Sequence, residues 1–313
     1  MPDSRRMPRP PRRSLHRPKR KTLPLPARFT RAVDALAKDR RSGSVPLALR
    51  ACDLLAHCQA MATDASGNFF PEAAQAVAQA QPSMAAVWNA CDHWLRQVER
   101  GTPPQSAARR VAQELSRAQN GAAAHAAKLI RNQCAVATYS SSSTVEAALL
   151  MARRKGKQFR VLCSEGRPMF EGRDMAQRLA ANGIPVEIFT DAALLASLPG
   201  ADVVLIGCDA VFPDGFVNKV GTHALLRMAQ LARIPAYVVA DSFKLLPAEA
   251  ARSILVREED AGKVWKPSIK NLRVRNYYFE KVPRSACSGM ITERGLEPAG
   301  WRHRFGGFTS RTR

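Results

Sequence analysis

Short apolar runs alternate with stretches of helical period in the second half of the chain, and this alternation restricts the fold more than any other feature. The runs predicted as strands cover residues 135–138, 159–163, 186–189, 203–206 and 236–240. The predicted helices lie near residues 143–154, 172–182, 191–198, 219–232 and 247–252. Strands that are apolar on both faces and separated by helices are typical of a parallel sheet covered on both sides. The sequence therefore predicts a Rossmann-like α/β domain over residues 133–300.

The preceding residues, 27–132, are rich in alanine and follow a helical period instead. One apolar stripe consists of Val45, Leu49, Cys52 and Leu55. This spacing places all of its side chains on one face of a helix. Similar stripes recur around residues 71–98 and 105–131. The predicted fold class is thus α/β, with an N-terminal helical bundle followed by a Rossmann-like parallel sheet domain.

The charge of the chain is concentrated at its two ends. Lys and Arg number 48 against 26 Asp and Glu, and the resulting net charge of +22 first suggests a polyanionic partner. Residues 1–22 hold nine bases and one acid, and the last twelve residues hold four bases and no acid, which leaves +10 for residues 23–301. Because prolines are scattered among the N-terminal arginines, we expect a disordered basic arm over residues 1–26. Residues 301–313 are expected to form a basic tail.

Several classes of partner have no motif in this chain. It contains neither G-x-G-x-x-G nor G-x-x-x-x-G-K-[ST], so dinucleotide and P-loop chemistry are not expected. Its seven cysteines form no C-x-x-C pair, which argues against a zinc site and suits a reducing compartment. No stretch reaches the roughly 18 apolar residues of a membrane span. We therefore expect a cytoplasmic protein with no cofactor, metal or membrane partner.

Polar residues gather where the predicted strands end, and in a doubly wound sheet this is where ligands bind. The four segments are 138–144, 163–173, 206–222 and 240–244. In the first, Ser140 and Ser141 belong to a hydroxyl cluster that could hold a phosphate or simply cap a helix. In the second, Arg167 and Arg173 could form a fork for a phosphate or carboxylate, or could pair with nearby glutamates.

The third segment carries the clearest acid–base candidate. Asp209 ends an apolar strand, where partial desolvation should raise its pKa into the range useful for proton transfer. Asn218 and Lys219 are predicted to open the next helix and to hold an anion there, although a turn with a helix cap would give the same pattern. The fourth segment adds Lys244 beside Asp241. Together the segments predict a site for a small phosphorylated molecule.

These segments also resemble, in order, the motifs of one known family. They read C-S-E-G-R-P…G-R from Cys163, G-C-D…D-G…N-K-V-G-T from Gly207, A-D-S-F-K from Ala240 and I-T-E-R-G from Ile291. This series is similar to the translation initiation factor 2B alpha/beta/delta family, which includes ribose-1,5-bisphosphate isomerase and 5-methylthioribose-1-phosphate isomerase. The segment that starts at Arg41 resembles the one before the family's N-terminal helices. The match extends from about residue 40 to residue 297.

The resemblance implies a dimer or larger assembly. In the isomerase branch it also implies a cysteine and an aspartate that move protons between C1 and C2 of a ribose phosphate. Asp209 matches the aspartate, but Ser140 stands where the cysteine is expected. A serine hydroxyl is a much poorer base than a thiol unless a neighbour activates it, and Tyr139 offers no such help. Cys208 could supply a thiol only if it shared a face with Asp209, whereas adjacent strand residues point to opposite faces.

Two functions remain open on this basis. The first is a sugar-phosphate aldose–ketose isomerase in which Asp209 is the acid or base and Ser140 is a proton relay. Its substrate-binding residues would be Arg167, Arg173, Asn218, Lys219, Ser141 and Lys244. The alternative is a non-catalytic regulatory subunit of the initiation factor 2B type that senses a sugar phosphate or nucleotide. Nucleic-acid contact through the basic arm could accompany either function.

Overall fold

The computed structural model describes residues 25–39, 41–61, 69–247 and 256–298. Most of the predicted arm and all of the predicted tail lie outside these residues. The predicted helix at 247–252 also lies outside them, except for its first residue. The described residues place five helices before a parallel sheet, so the predicted fold class is confirmed.

The first half of the structure is a bundle of helices around an apolar core. Its helices are α1 Ala27–Lys38, α2 Ser44–Met61, α3 Phe69–Ala80, α4 Ala85–Glu99 and α5 Pro104–Leu129. Trp94 is fully buried at the centre, and its indole nitrogen donates to the Pro104 carbonyl at 2.9 Å. This bond satisfies the one polar atom of a side chain that otherwise contributes only apolar surface to the core.

The second half is built on a seven-stranded sheet. Its strands in chain order are β1 Cys134–Thr138, β2 Phe159–Ser164, β3 Val186–Phe189, β4 Val203–Ile206, β7 Ala236–Val239, β9 Gly289–Thr292 and β10 Gly295–Pro298. A second sheet joins β5 Ala210–Phe212, β6 Gly215–Lys219 and β8 Phe279–Pro283. The helices between the strands are α6 Ser143–Arg154, α7 Glu171–Ala181, α8 Asp191–Ser197 and α9 Thr222–Leu231.

The spatial order of the large sheet is β10-β9-β7-β4-β1-β2-β3, and only β10 is antiparallel to its neighbour. The chain therefore builds outward in one direction from β1 through β2 and β3, and then returns to the other side of β1 with β4. Every residue of β1 and of β4 is buried. The reversal between β1 and β4 opens a crevice at the carboxyl ends of these two strands, as in other doubly wound sheets.

One part of the predicted topology is wrong. Asn218 and Lys219 do not open a helix, because they end β6, and α9 begins only at Thr222. The cause is a hairpin in which Phe212 pairs with Gly215, so that two apolar arms meet across a short turn. Gly221, with a φ of +99°, then turns the chain into α9.

The other strands and helices predicted after residue 133 agree with the structure to within one or two residues wherever the structure describes them. The cap of α6 is Ser142, which belongs to the hydroxyl cluster of residues 138–144. The Ser142 Oγ accepts from the Val145 amide at 3.4 Å.

Gly172 fixes how closely α7 approaches β2. A Cβ at this position would lie 1.9 Å from the Ser164 carbonyl oxygen and 2.9 Å from the Glu165 carbonyl carbon. Because both obstacles are backbone, we expect Gly172→Ala to lower the free energy of unfolding by about 1–3 kcal/mol or more. Gly200→Ala is the matched control, because no atom lies within 4 Å of its added Cβ. Equal urea-unfolding midpoints for the two variants would contradict this account.

Candidate functional site

A cleft of about 860 Å³, including its open mouth, lies at the carboxyl ends of β1 and β4. The helical bundle forms one wall, and the ends of the strands form the other. Its lining includes residues 41–45, 81–84, 140–143, 171, 207–209, 218–219, 244, 257, 259 and 278–279. Of the candidate site residues, the structure brings Ser140, Ser141, Asp209, Asn218, Lys219 and Lys244 to this cleft.

Two helix N-termini face the cleft. The start of α6 contributes Ser141 and Ser143 to the lining, and the start of α2 contributes Gly43 and Ser44. The first amides of a helix have no partner within the helix, and the helix dipole places a partial positive charge there. The cleft therefore offers an anion two sets of N–H donors on opposite walls.

Ser140 is held in place by its backbone and by its side chain. Its φ is +61°, and its amide donates to the Ser164 Oγ at 2.9 Å. Its hydroxyl donates to the Glu171 Oε1 at 2.6 Å. The sequence had suggested no neighbour able to activate this serine, and the structure supplies one from the first residue of α7. No sequence signal marks Glu171 for this role, because the pattern of segment 163–173 indicates its glutamates only as possible partners of the arginines.

Glu171 also binds a lysine. The Lys219 Nζ lies 2.6 Å from the same Oε1, and the ammonium also sits 5.2 Å from the centre of the Tyr278 ring. The second carboxylate oxygen of Glu171, Oε2, is buried and has no hydrogen-bond partner among the described residues. A buried acceptor without a donor costs free energy, so a hydrogen bond from a ligand hydroxyl to this oxygen would be favourable.

Asp209 lies at the floor of the cleft, three residues after the end of β4. Its amide donates to the Val217 carbonyl at 2.8 Å and its carbonyl accepts from the Ala85 amide at 3.0 Å, so its backbone is fixed from both sides. Burial raises the pKa of the Asp209 carboxyl to about 6, against the opposing effects of Lys244 and Lys219. The side chain remains half-buried and in contact with the cleft. It can therefore hold or release a proton near neutral pH.

Below Asp209 lies a buried ion pair. The Lys244 Nζ is 3.8 Å from the Asp241 Oδ2, and both side chains are almost completely inaccessible to solvent. Burial raises the pKa of Asp241. Burial by itself lowers the pKa of Lys244. The nearby Asp241, Cys208 and Asp209 have the larger, opposite effect, so the pKa of Lys244 is raised. Lys244 therefore stays positive beside the cleft floor.

Cys208 does not replace the missing thiol. Although it touches the cleft, its side chain packs in the apolar core of the sheet domain, and burial raises its pKa to about 12. The thiolate is the reactive form of cysteine, and at neutral pH this residue is almost entirely protonated.

The predicted arginine fork is not part of the cleft. The Arg173 guanidinium pairs with the Glu165 carboxylate at 2.6 Å, which is one of the two arrangements that the sequence left open. It also lies 3.9 Å from the centre of the Phe170 ring. Arg167 stacks on the same ring at 4.9 Å. Both arginines therefore brace the turn before α7 rather than face the ligand space.

Two other arginines reach the cleft instead. Arg41 lies at the mouth and pairs with Asp174 at 2.9 Å, and Arg257 pairs with Glu259 at 2.8 Å. The resemblance of the segment at Arg41 to a family motif could have marked the first. Nothing in the sequence marked the second. Both partners of the Arg41–Asp174 pair are exposed, so an incoming anion can rearrange that pair at little cost.

The described residues contain no group of three or more His, Cys, Asp or Glu placed to hold a metal ion. Among the helices of the described ranges, none is both long and apolar enough to cross a membrane.

Comparison with known proteins identifies the class. The model of the initiation factor 2 subunit family matches residues 41–299, and the chain belongs to this family. A Pyrococcus horikoshii protein named "Putative translation initiation factor eIF-2B subunit 2-like" is 30% identical over 72% of this chain and 79% of its own length. A ribose 1,5-bisphosphate isomerase of Archaeoglobus fulgidus is 29% identical over 72% of this chain and 75% of its own length.

Solved structures agree with this assignment. The crystal structure of the Pyrococcus horikoshii OT3 translation initiation factor eIF-2B is similar with a TM-score of 0.78 and 28% identity, over 88% of this chain and 98% of that one. The family thus includes both sugar-phosphate isomerases and eIF-2B-like subunits.

The raised pKa of Asp209 has a consequence for stability. The folded protein keeps the proton up to about pH 6, whereas the ordinary pKa of 3.8 applies after unfolding. Between these values the folded state binds more protons, so the free energy of unfolding falls as the pH rises from about 4 to about 6. Asp209→Asn lacks this titration. The quantity to measure by urea unfolding is the free energy of unfolding of the wild type minus that of the variant. We expect this difference to fall across this window and to be flat above about pH 7.

The control for this titration is Asp214→Asn, which changes an exposed carboxylate in the turn between β5 and β6. A pH dependence seen for Asp209→Asn and not for Asp214→Asn would assign the titration to the cleft floor. A wild-type advantage over Asp209→Asn that stays constant or grows between pH 4 and pH 6 would show that burial does not raise the pKa of Asp209.

Proposed function

We propose that this chain is an aldose–ketose isomerase whose substrate is a ribose with a phosphate on O1. Ribose 1,5-bisphosphate and 5-methylthioribose 1-phosphate, the substrates named for the isomerases of the family, share this part. The observation that carries the proposal is the acid–base group at the cleft floor, Asp209, with a pKa of about 6. A group that titrates near neutral pH is suited to proton transfer and serves no evident purpose in packing.

The anion-binding part of the cleft suits a phosphate. The N-termini of α2 and α6 supply backbone amides, Ser141 and Ser143 supply hydroxyls, and Arg41 supplies a charge at the mouth. Phosphate binds well at such helix ends because free N–H groups and the helix dipole act together. In this proposal these groups bind the phosphate in place of Arg167 and Arg173, for which the sequence suggested that role.

The reaction requires two acid–base groups. When a ribose 1-phosphate becomes a ketose phosphate, the bond between C1 and the ring oxygen breaks and the ring oxygen gains a proton. The hydrogen on C2 moves to C1 with its bonding electrons, and the hydroxyl on C2 loses its proton as C2 becomes a carbonyl, so atoms and electrons balance. We propose that protonated Asp209 donates its proton to the ring oxygen, since its pKa of about 6 leaves a useful fraction of this carboxyl protonated near neutral pH.

The second group in this proposal is Ser140 together with Glu171. The serine hydroxyl already donates to the glutamate at 2.6 Å, so it can pass its proton to Glu171 as it takes the proton of the C2 hydroxyl. The pair would thus do the work that a thiol performs alone in the resembling enzymes. Lys219, at 2.6 Å from the same carboxylate, orients Glu171. Asn218 and Lys244 line the same cleft and are proposed to hold substrate oxygens.

A non-catalytic sensor of a sugar phosphate is the second candidate. One specific feature favours it: a serine stands where the resembling isomerases have their reactive thiol. In this case the cleft would bind the same class of ligand without converting it.

Turnover distinguishes the two functions. The purified chain is incubated with ribose 1,5-bisphosphate and with 5-methylthioribose 1-phosphate, and the ketose product is followed by NMR while binding is followed by thermal shift. We expect conversion of at least one substrate, and a loss of about 10²–10⁴-fold in kcat for Asp209→Asn. Asp214→Asn is the matched control and should keep its activity. Stabilisation without turnover would establish the sensor, and no stabilisation would remove the cleft from consideration.

The relay is tested by a double-mutant cycle of Ser140→Cys and Glu171→Gln. In the serine background, Glu171→Gln should lower kcat by about 10²–10⁴-fold, because the hydroxyl loses its proton acceptor. In the cysteine background the same change should cost less than about tenfold, since a thiol ionises without help. The loss of the partner of Lys219 is common to both backgrounds and cancels in the cycle. Equal losses in the two backgrounds would mean that Glu171 acts only by positioning Lys219.

A further inference from the structure

One exposed segment outside the cleft combines positive charge with large apolar side chains. It covers residues 261–275, which we call the basic segment, and it lies between the rim residues Glu259 and Tyr278. Its exposed apolar side chains are Val264, Trp265, Ile269 and Leu272. Trp265 is 55% exposed and Ile269 is 62% exposed. Such side chains are normally buried, so a group of them on one segment marks a contact surface.

The charge of the basic segment has a single sign. Lys263, Lys266, Lys270, Arg273 and Arg275 lie within its fifteen residues, and no carboxylate does. Arg275 is paired with Glu258 at 2.6 Å, and Arg273 lies 4.0 Å from the same glutamate. The three lysines are exposed along the rest of the segment. This arrangement produces a local positive potential next to an aromatic ring.

The two ends of the basic segment are anchored. The Glu259 amide donates to the Asn276 carbonyl at 2.8 Å, and the Asn276 side-chain amide donates to the Asp260 carbonyl at 2.7 Å. Glu258 and Tyr277 form an isolated antiparallel bridge. Inside the segment, the Trp265 amide donates to the Ala261 carbonyl at 3.1 Å. Both ends of the basic segment are therefore fixed beside the cleft, so the segment is a closed loop and not a free chain end.

We propose that the basic segment is a binding surface for single-stranded nucleic acid. The phosphates would contact Lys263, Lys266 and Lys270, and a base would stack on Trp265, because every base offers a π face to an aromatic ring. The aliphatic side chains of Ile269 and Leu272 would cover further base or sugar surface. The basic segment is distinct in sequence from the basic arm, and the proposal applies whether the cleft holds a substrate or a sensed ligand.

The charge argues against a second copy of the chain as the occupant. A symmetric contact centred on the basic segment would bring the positive charges of both copies together. Like charges brought together in this way cost energy unless acids intervene, and the segment supplies none. A polyanion with stacking bases satisfies both the charge and the apolar surface.

The test measures binding of a fluorescent 20-nucleotide single-stranded RNA by anisotropy over a range of salt concentrations. One variant changes Lys263, Lys266 and Lys270 to Gln. Its matched control changes Lys128, Arg154 and Lys155 to Gln. These exposed cations lie at the opposite, amino ends of the strands, near the start of β1 and the end of α6. Both variants lose three positive charges and keep the arm and the tail.

We expect the Lys263/Lys266/Lys270 variant to reduce the slope of log affinity against log salt by about 2, since each contact with a single strand contributes about 0.7. The control should reduce it by much less. Trp265→Ala should weaken binding by about tenfold or more with an unchanged slope, which reports stacking rather than charge. Because Trp265 is exposed, the thermal unfolding midpoint of the Trp265→Ala variant should match that of the wild type.

Three results would overturn the proposal. Equal losses in the two triple variants would show that binding follows overall charge alone. Full affinity in Trp265→Ala would exclude the stacking contact. A lower mass in light scattering for the basic-segment variants, without a change in RNA affinity, would show that the surface joins copies of the chain.

Discussion

The reversal of strand order between β1 and β4 is the constraint on which the rest of the structure depends. Both strands are buried along their whole length, and all their side chains are apolar except that of Thr138, the last residue of β1. Polar groups can appear only where the strands end, and the reversal leaves an open crevice there. Ser140 and Asp209 follow these two strands within three residues. Their position at the edge of a fully apolar layer explains the partial desolvation that raises the pKa of Asp209.

The ionic groups of the cleft come from distant parts of the chain and support one another. Glu171 begins α7, Lys219 ends β6 and Lys244 follows β7, yet they surround Asp209 and Ser140. The two lysines lower the pKa of Asp209 while burial raises it, so its value of about 6 is a balance between large opposing effects. Removing any one charge shifts this balance. The cleft is therefore better described as one coupled electrostatic unit than as a set of separate roles.

The strand ends could be found from the sequence because apolar runs and turn residues are local signals. Asp209, Ser140 and Lys244 were located in this way. The hairpin of β5 and β6 was missed, since its short apolar arms resemble the start of an amphipathic helix, and only the pairing of Phe212 with Gly215 decides between them. The contact of Ser140 with Glu171 spans 31 positions and depends on the close approach of α7 to β2, which no local pattern records. For Arg173 the sequence left open a ligand contact or a pair with a nearby glutamate, and the structure shows the pair with Glu165.

The large positive charge of the chain has little to do with the interior of the cleft. Lys219 and Lys244 face three carboxylates there, those of Glu171, Asp209 and Asp241, so the buried groups do not by themselves attract a phosphate. Attraction must come from the two helix ends and from arginines at the mouth. Short, partly buried contacts of this kind are screened less by salt than contacts between exposed lysines and a polyanion. Ionic strength should therefore separate the two proposed activities, since a sugar phosphate would remain bound in the cleft at salt concentrations that release nucleic acid from the basic segment.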